Sequence, residues 1–237
     1  MRIGILANSL PAAANIYHEI KCVPGAEVLV LLSPVDERSS RSGLVSQLAR
    51  VAVKPGRAKT LKLISQRAVT RFSRPLHDRE TISRVKEMKL DIGLHKSGNI
   101  YHRETIECFR LGILNAHIGL LPKYRGRSVM EWSLLQGDPA GISVFFVDEG
   151  IDTGRSIVLS ETVDVSHCKT IAEAKQHLFD QDARVYRRAI EQLAKPITGF
   201  QINDGSGRRY YVMSRLFQNA AQQCLAISNR QSEIGNI

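Results

Sequence analysis

Arg2-Ile3-Gly4-Ile5-Leu6-Ala7, then Pro11 to Ile20, then Ala26-Glu27-Val28-Leu29-Val30-Leu31-Leu32, is the stretch that decides the fold class of this chain. Both outer runs are short and aliphatic. The segment between them opens with a proline, which suits the first turn of a helix. Strand, helix and strand make a β-α-β unit, and a right-handed crossover renders the two strands parallel. Working outward, Leu90–Leu94, Leu111–Leu114, residues 142–147 and Ile157–Val163 read as further strands. Helices are expected over Leu61–Phe72, Ile82–Met88, Val129–Gln136, Ile171–Leu193 and Arg215–Ile227. Ile171, Ala174, Leu178, Val185 and Ile190 are the expected core positions of the long helix, which Pro196 ends. This alternation predicts an α/β protein: Rossmann-like, a mostly parallel open sheet flanked by helices. The first turn, Ala7-Asn8-Ser9-Leu10-Pro11, has no Gly-x-Gly-x-x-Gly, so a dinucleotide fingerprint is absent. Residues 1–195 are expected to form one domain, with 196–237 a short C-terminal extension rather than an independent domain.

With 237 residues the chain can build one substantial domain, and one Trp beside seven Phe and six Tyr makes its core mostly aliphatic. No run has the apolar length of a membrane span. The N-terminus reads as a strand, not a secretory signal, so a cytoplasmic location is expected. Cys22, Cys108, Cys168 and Cys224 are scattered without a Cys-x-x-Cys pair, which argues for incidental thiols over a metal site or a disulfide framework. The net charge of +10 is unevenly placed. Arg38 to Arg74 holds ten Lys or Arg and no acid, equal to the whole excess. Such a field attracts phosphates, nucleic acid or acidic surfaces, and it equally describes a solvated face.

Two segments carry chemistry. Asn115-Ala116-His117 ends one aliphatic run and leads into Leu120-Leu121-Pro122-Lys123-Tyr124-Arg125-Gly126; Asp148-Glu149-Gly150-Ile151-Asp152-Thr153-Gly154 follows another. Ligands of open α/β sheets gather beyond the carboxyl ends of strands. An imidazole there can handle protons near neutral pH, an amide N–H can meet a developing oxyanion, and a carboxylate can orient the imidazole. Residues two apart on a strand share a side, so Asn115 and His117 suit one pocket. Asn-x-His pairs and Asp-rich turns also serve merely to satisfy backbone groups.

The ordered pair NAHIGLLPKYRG and VDEGIDTG resembles the folate-dependent formyltransferase family, which includes methionyl-tRNA, glycinamide-ribonucleotide and sugar-nucleotide formyltransferases. The resemblance is strongest from Asp91 to Ser160. It implies the formyltransferase fold, with residues 1–195 as the catalytic domain. It implies transfer of a formyl group from 10-formyltetrahydrofolate, a co-substrate, to a primary amine, with no metal. By position Asn115, His117 and Asp152 match the family's catalytic trio. His95, Lys96, Ser97 and Gly98, with main-chain groups of Val147, Asp148, Glu149 and Gly150, match segments that hold the pterin. Several departures stand out. Ile118-Gly119 replaces a small residue or proline followed by serine, the turn Asp138–Gly141 is one residue short, and Arg155 follows Asp-Thr-Gly.

The Leu-Pro-Lys-Tyr-Arg-Gly form is closer to members acting on sugar nucleotides or methionyl-tRNA than to glycinamide-ribonucleotide enzymes. Little chain follows Pro196 for a tRNA-binding barrel, which makes a nucleotide-linked amino sugar the expected acceptor. Lys123, Tyr124, Arg125 and Arg127 are the candidate substrate contacts, the cations matching a diphosphate. The alternatives are glycinamide-ribonucleotide or methionyl-tRNA formyl transfer, a formyltetrahydrofolate hydrolase, and a non-enzymatic nucleic-acid-binding protein built on Arg38–Arg74. The C-terminal extension suits packing on the core or a homodimer contact.

Overall fold

A computed structural model describes residues 1–34, 68–196 and 199–234 of the chain. By contact density the chain divides into two compact units, Met1–Asn115 with Val147–Glu149, and Ala116–Phe146 with Gly150–Ile237. The described residues of the C-terminal extension, 196 and 199–234, therefore belong to the second unit. The boundary passes through one strand, Gly112–His117, between Asn115 and Ala116.

The first unit is a parallel sheet with helices. Its strands are β1 (Arg2–Ala7), β2 (Glu27–Leu32), β3 (Val69–Arg71), β4 (Ile92–Lys96) and β5 (Gly112–His117). They lie in the order β3-β2-β1-β4-β5, every neighbouring pair parallel. The chain steps outward from β1 to β2 and β3, then returns to the other side of β1 for β4. The gap between the ends of β1 and β4 is thus the topological switch point, where ligands of such sheets bind. Helix α1 (Leu10–Ile20) has its proline in the first turn and buries Ala13, Ala14, Ile16, Tyr17 and Ile20, one helical stripe. Helix α2 (Arg79–Glu87) begins three residues before its expected start because the Asp78 carboxylate accepts the Glu80 N–H at 3.0 Å. A short α3 (Arg103–Ile106) follows β4. Leu6, Leu31, Phe72, Leu90, Tyr101, Phe109 and Ile113 share one buried cluster beneath these elements.

One expected helix is corrected. The described end of Leu61–Phe72 is strand β3, with Val69 paired to Val30, and residues 61–67 lie outside the described set. Val69 and Thr70 are β-branched and prefer the pleated surface, and the Val30 N–H donates to Ala68 O at 2.7 Å.

In the second unit, β7 (Gly141–Phe146), β8 (Ser156–Thr162) and β9 (Gln201–Ile202) form an antiparallel ladder. Two further strands, β6 (Tyr124–Gly126) and β10 (Arg208–Tyr210), make a separate parallel ribbon. Its helices are α4 (Val129–Leu135), α5 (Ile171–Asp180), α6 (Asp182–Leu193) and α7 (Arg215–Ile234). The single long helix expected over Ile171–Leu193 is two helices. The Gln181 N–H donates to Leu178 O, a tight three-residue turn that interrupts the four-residue ladder. Thr170 and Glu173 close a capping box that fixes the start of α5. Ala174, Leu178, Val185 and Ile190 are buried as expected, and Ile171 is half-buried. No helix among the described residues is long and apolar enough to cross a membrane.

Candidate active site

His117 ends β5 and is buried, with 7% of its side chain exposed. Its Nε2 lies 2.9 Å from Tyr124 O. A carbonyl oxygen only accepts, so Nε2 carries the proton and donates. That assignment leaves Nδ1 to face Asp152, whose Oδ1 stands 3.6 Å away with 11% of the side chain exposed. The arrangement sets an imidazole nitrogen against a carboxylate oxygen, two groups of the kind that serve in acid–base chemistry.

Asp152 is fixed from three directions. Its Oδ2 accepts the Gly126 N–H at 3.0 Å. Its backbone sits at φ 54°, the left-handed region that non-glycine residues seldom adopt. Its own carbonyl and that of Gly154 each accept an N–H of the Asn203 amide at 3.1 Å. The Asn203 N–H also donates to Arg155 O at 2.7 Å, and the side chain is buried. Asn203 thus clamps both ends of the Asp152-Thr153-Gly154 turn. Sequence reasoning missed it; its only signal was a polar Asn-Asp-Gly turn in the C-terminal extension.

Strand β6 serves both sides of the site. Backbone groups of successive strand residues point to opposite edges. Tyr124 O and Gly126 N face His117 and Asp152, while the Arg127 N–H turns the other way, to Tyr210 O at 3.1 Å. The C-terminal strand β10 thereby braces the strip that holds the imidazole and the carboxylate. Gly126 is at φ 108°, and a Cβ there would collide with Tyr210 O. Gly119 also matters, because a Cβ would stand 2.8 Å from His117 Nε2 and 2.9 Å from Tyr124 O, wedged into their hydrogen bond.

The remaining expected site residues fall in several places. Asn115 is half-buried in β5, two residues before His117, and closes the first unit. In that unit His95 and Lys96 end β4. His95 Nδ1 lies 2.8 Å from the Tyr101 hydroxyl, which is also 3.1 Å from Ser97 Oγ. Burial pushes the Tyr101 phenol well above its ordinary pKa, so it stays a neutral hydroxyl. The Gly98 N–H donates to Asn8 Oδ1 at 2.8 Å, and Asn8 Nδ2 donates to Ser33 O at 2.9 Å. Asn8 therefore ties together the ends of β1, β2 and β4 at the switch point. The Val147 N–H is spent on Ile113 O at 2.8 Å, whereas Asp148, Glu149 and Gly150 are exposed.

Tyr124 departs from the expected substrate contact. It is 1% exposed, stacks on Tyr210 at 5.6 Å, and gives its hydroxyl to Asp138 and, at 3.0 Å, to Gln136 Oε1. Burial, with the Asp138 carboxylate beside it, raises the Tyr124 pKa well above the usual range. An alternating β6 puts Tyr124 inward and Arg125 outward. Lys123 is ion-paired to Asp138 at 2.5 Å. Arg125 is half-buried and Arg127 is exposed.

Comparison with known proteins follows the same lines. Residues 42–190 match the family model described as Formyl transferase. The methionyl-tRNA formyltransferase of Clostridium beijerinckii is 29% identical over 146 residues, which are 61% of this chain and 46% of that protein. The chain thus spans about half the length of this curated relative. A sugar N-formyltransferase from Shewanella sp. FDAARGOS_354 superposes with TM-score 0.59 at 15% identity, over 95% of this chain and 87% of its own. A formyltransferase from Anoxybacillus kamchatkensis, solved with UDP-4,6-dideoxy-4-formamido-L-AltNAc and tetrahydrofolate, gives 0.52 at 16% identity over 97% and 100%. At these identities the two structures speak for the fold.

Proposed function

The chain belongs to the formyl transferase family, and from that premise we propose that it transfers a formyl group from 10-formyltetrahydrofolate to a primary amine, with a nucleotide-linked amino sugar as acceptor. The observation that carries this reading is the His117 ring, held by the Tyr124 carbonyl at 2.9 Å with its other nitrogen facing Asp152. Asn115, two residues earlier on β5, is the third member of the proposed catalytic trio.

His95 to Gly98 and the exposed Asp148–Gly150 turn are the proposed folate-holding segments, Val147 adding its carbonyl. Main-chain and small polar groups at strand ends suit the amide-like edge of a pterin, so the residues present fit the co-substrate. When bound, it supplies a formyl group on an amide-type nitrogen. Asp152 takes the proton that the attacking amine sheds as the new C–N bond forms, and that proton passes to the departing folate nitrogen as its bond to the formyl carbon breaks. Asn115 offers its amide N–H to the formyl oxygen, where negative charge develops. His117, protonated, lowers the cost of that charge through its field, since Tyr124 and Asp152 already engage its nitrogens.

The acceptor rests on the arginines of the Lys123–Arg127 segment, whose guanidinium groups match phosphate oxygens in bidentate fashion. Methionyl-tRNA is the second reading, favoured by the Clostridium beijerinckii relative. A panel of amino-sugar nucleotides, glycinamide ribonucleotide and methionyl-tRNA, each with 10-formyltetrahydrofolate, tests it. Formylated sugar nucleotide is the expected product. Turnover of tRNA or glycinamide ribonucleotide alone would overturn the acceptor, and formate release without any acceptor would point to a hydrolase.

A further inference from the structure

Arg209 of β10 lies directly opposite Arg125 of β6 in the parallel register. Partners in such a pair project from the same face, and two like charges side by side repel. Nothing among the described residues neutralises them. Arg2, Arg74, Arg103, Arg110, Arg184, Arg187 and Arg188 all have carboxylate partners. Among the described residues Arg125 and Arg209 have none, as is also true of Arg127, Arg155 and Arg208, but of these arginines Arg125 alone has a buried nitrogen, its Nε, without a hydrogen-bond partner. A buried guanidinium N–H with no acceptor costs free energy unless something supplies one.

The pair occupies the outer face of the ribbon. Tyr124 and Tyr210 stack on the inner face, and strand alternation puts Arg125 and Arg209 on the other. Arg209 is exposed and lies over the Tyr211 ring at 5.3 Å, which leaves its N–H edges open. The Gly205-Ser206-Gly207 turn leads into β10 beside Arg125, whose Nη1 would stand 4.0 Å from a Cβ at Gly205. The residues flanking Arg125 are the ones that hold His117 and Asp152.

We propose that Arg125 and Arg209 seat a dianion, the diphosphate of a nucleotide-linked acceptor, on this face of the β6–β10 ribbon. The identity of the ligand rests on the formyl-transfer reading above; the seat itself rests on the two arginines. Paired guanidinium forks supply donors matched to phosphate oxygens and lose their mutual repulsion when the dianion binds. Arg209 comes from the C-terminal extension, beyond the matched residues 42–190.

The test is calorimetric titration of the full chain with uridine diphosphate and thymidine diphosphate, with no formyl donor present. Saturable binding is expected. Arg209→Ala should weaken it about tenfold or more, a loss of ~1.4 kcal/mol. Arg125→Lys, which keeps charge but loses the fork, should weaken it several-fold. Arg208→Ala removes the same charge from the inner-face register position of the same strand and should leave affinity within about twofold. Equal losses at positions 208 and 209, or no binding of either nucleotide at millimolar concentration, would overturn the seat. Arg209-dependent binding of tRNA without nucleotide binding would overturn it in favour of an RNA phosphate contact. Diphosphate binding as expected, with no amine formylated, would leave the seat standing and remove the formyl-transfer reading.

Discussion

At the scale of single residues, the site depends on how firmly the Asp152 turn and the His117 ring are held. Asn203 spans 51 and 49 residues of sequence to reach the carbonyls of Asp152 and Gly154. Asn203→Ala should therefore lower kcat of formyl transfer by about ten- to a hundredfold, the usual cost of a displaced catalytic group. Stability should fall by roughly 1–3 kcal/mol for the lost buried hydrogen bonds. An unchanged kcat with reduced stability would make Asn203 structural only. Gly119→Ser, which restores the residue common in the resembled family, should push the His117 ring from Tyr124 O and reduce turnover, because even its Cβ would lie 2.8 Å from Nε2. A crystal structure with the ring unmoved and full activity would refute that expectation. His117 and Asp152 were legible because each ends or follows an aliphatic run within an ordered motif. Asn203 was not, because its partners are main-chain carbonyls, and a backbone carbonyl leaves no mark on the sequence that calls for its donor.

At the scale of elements, the β6–β10 ribbon decides whether the site exists. Gly126→Ala should destabilise the protein by at least the ~1–3 kcal/mol of an overpacked position, since φ 108° disfavours any Cβ and Tyr210 O occupies its place. Denaturant unfolding would check it, a wild-type midpoint counting against the close approach. The parallel strands and α1 were readable from aliphatic runs and a proline in a first turn. Strands of two or three residues, such as β6, β9 and β10, are too short for alternation to show. β3 was mistaken for the end of a helix because mixed apolar and basic residues suit either period, and pairing with β2 decided between them.

Across the whole molecule, acid lability follows from carboxylates that the fold keeps ionised. The Arg2 N–H and then the Arg110 guanidinium hold Asp91 below its ordinary pKa, and Lys123 followed by Tyr124 does the same for Asp138. A depressed pKa means the folded chain binds fewer protons than the unfolded chain near the ordinary aspartate value of about 4. These pairs thus contribute fully above that value, and their contribution is lost as pH falls through the depressed ones. A double variant, Asp91→Asn with Asp138→Asn, should be less stable at neutral pH and show a shallower decline between about pH 5 and 3. Parallel stability curves would contradict the assignment. The central claim is that the His117–Asp152 pair performs formyl transfer, and one measurement tests it most directly: initial rates of amine formylation from 10-formyltetrahydrofolate by the wild-type chain and by Asp152→Asn, with unfolding followed in parallel. The account predicts measurable turnover in the wild type and a fall of about 10²–10⁴-fold in a variant that remains folded. Equal rates in the two proteins, or no formylated amine from the wild type with any acceptor in the panel, would contradict it.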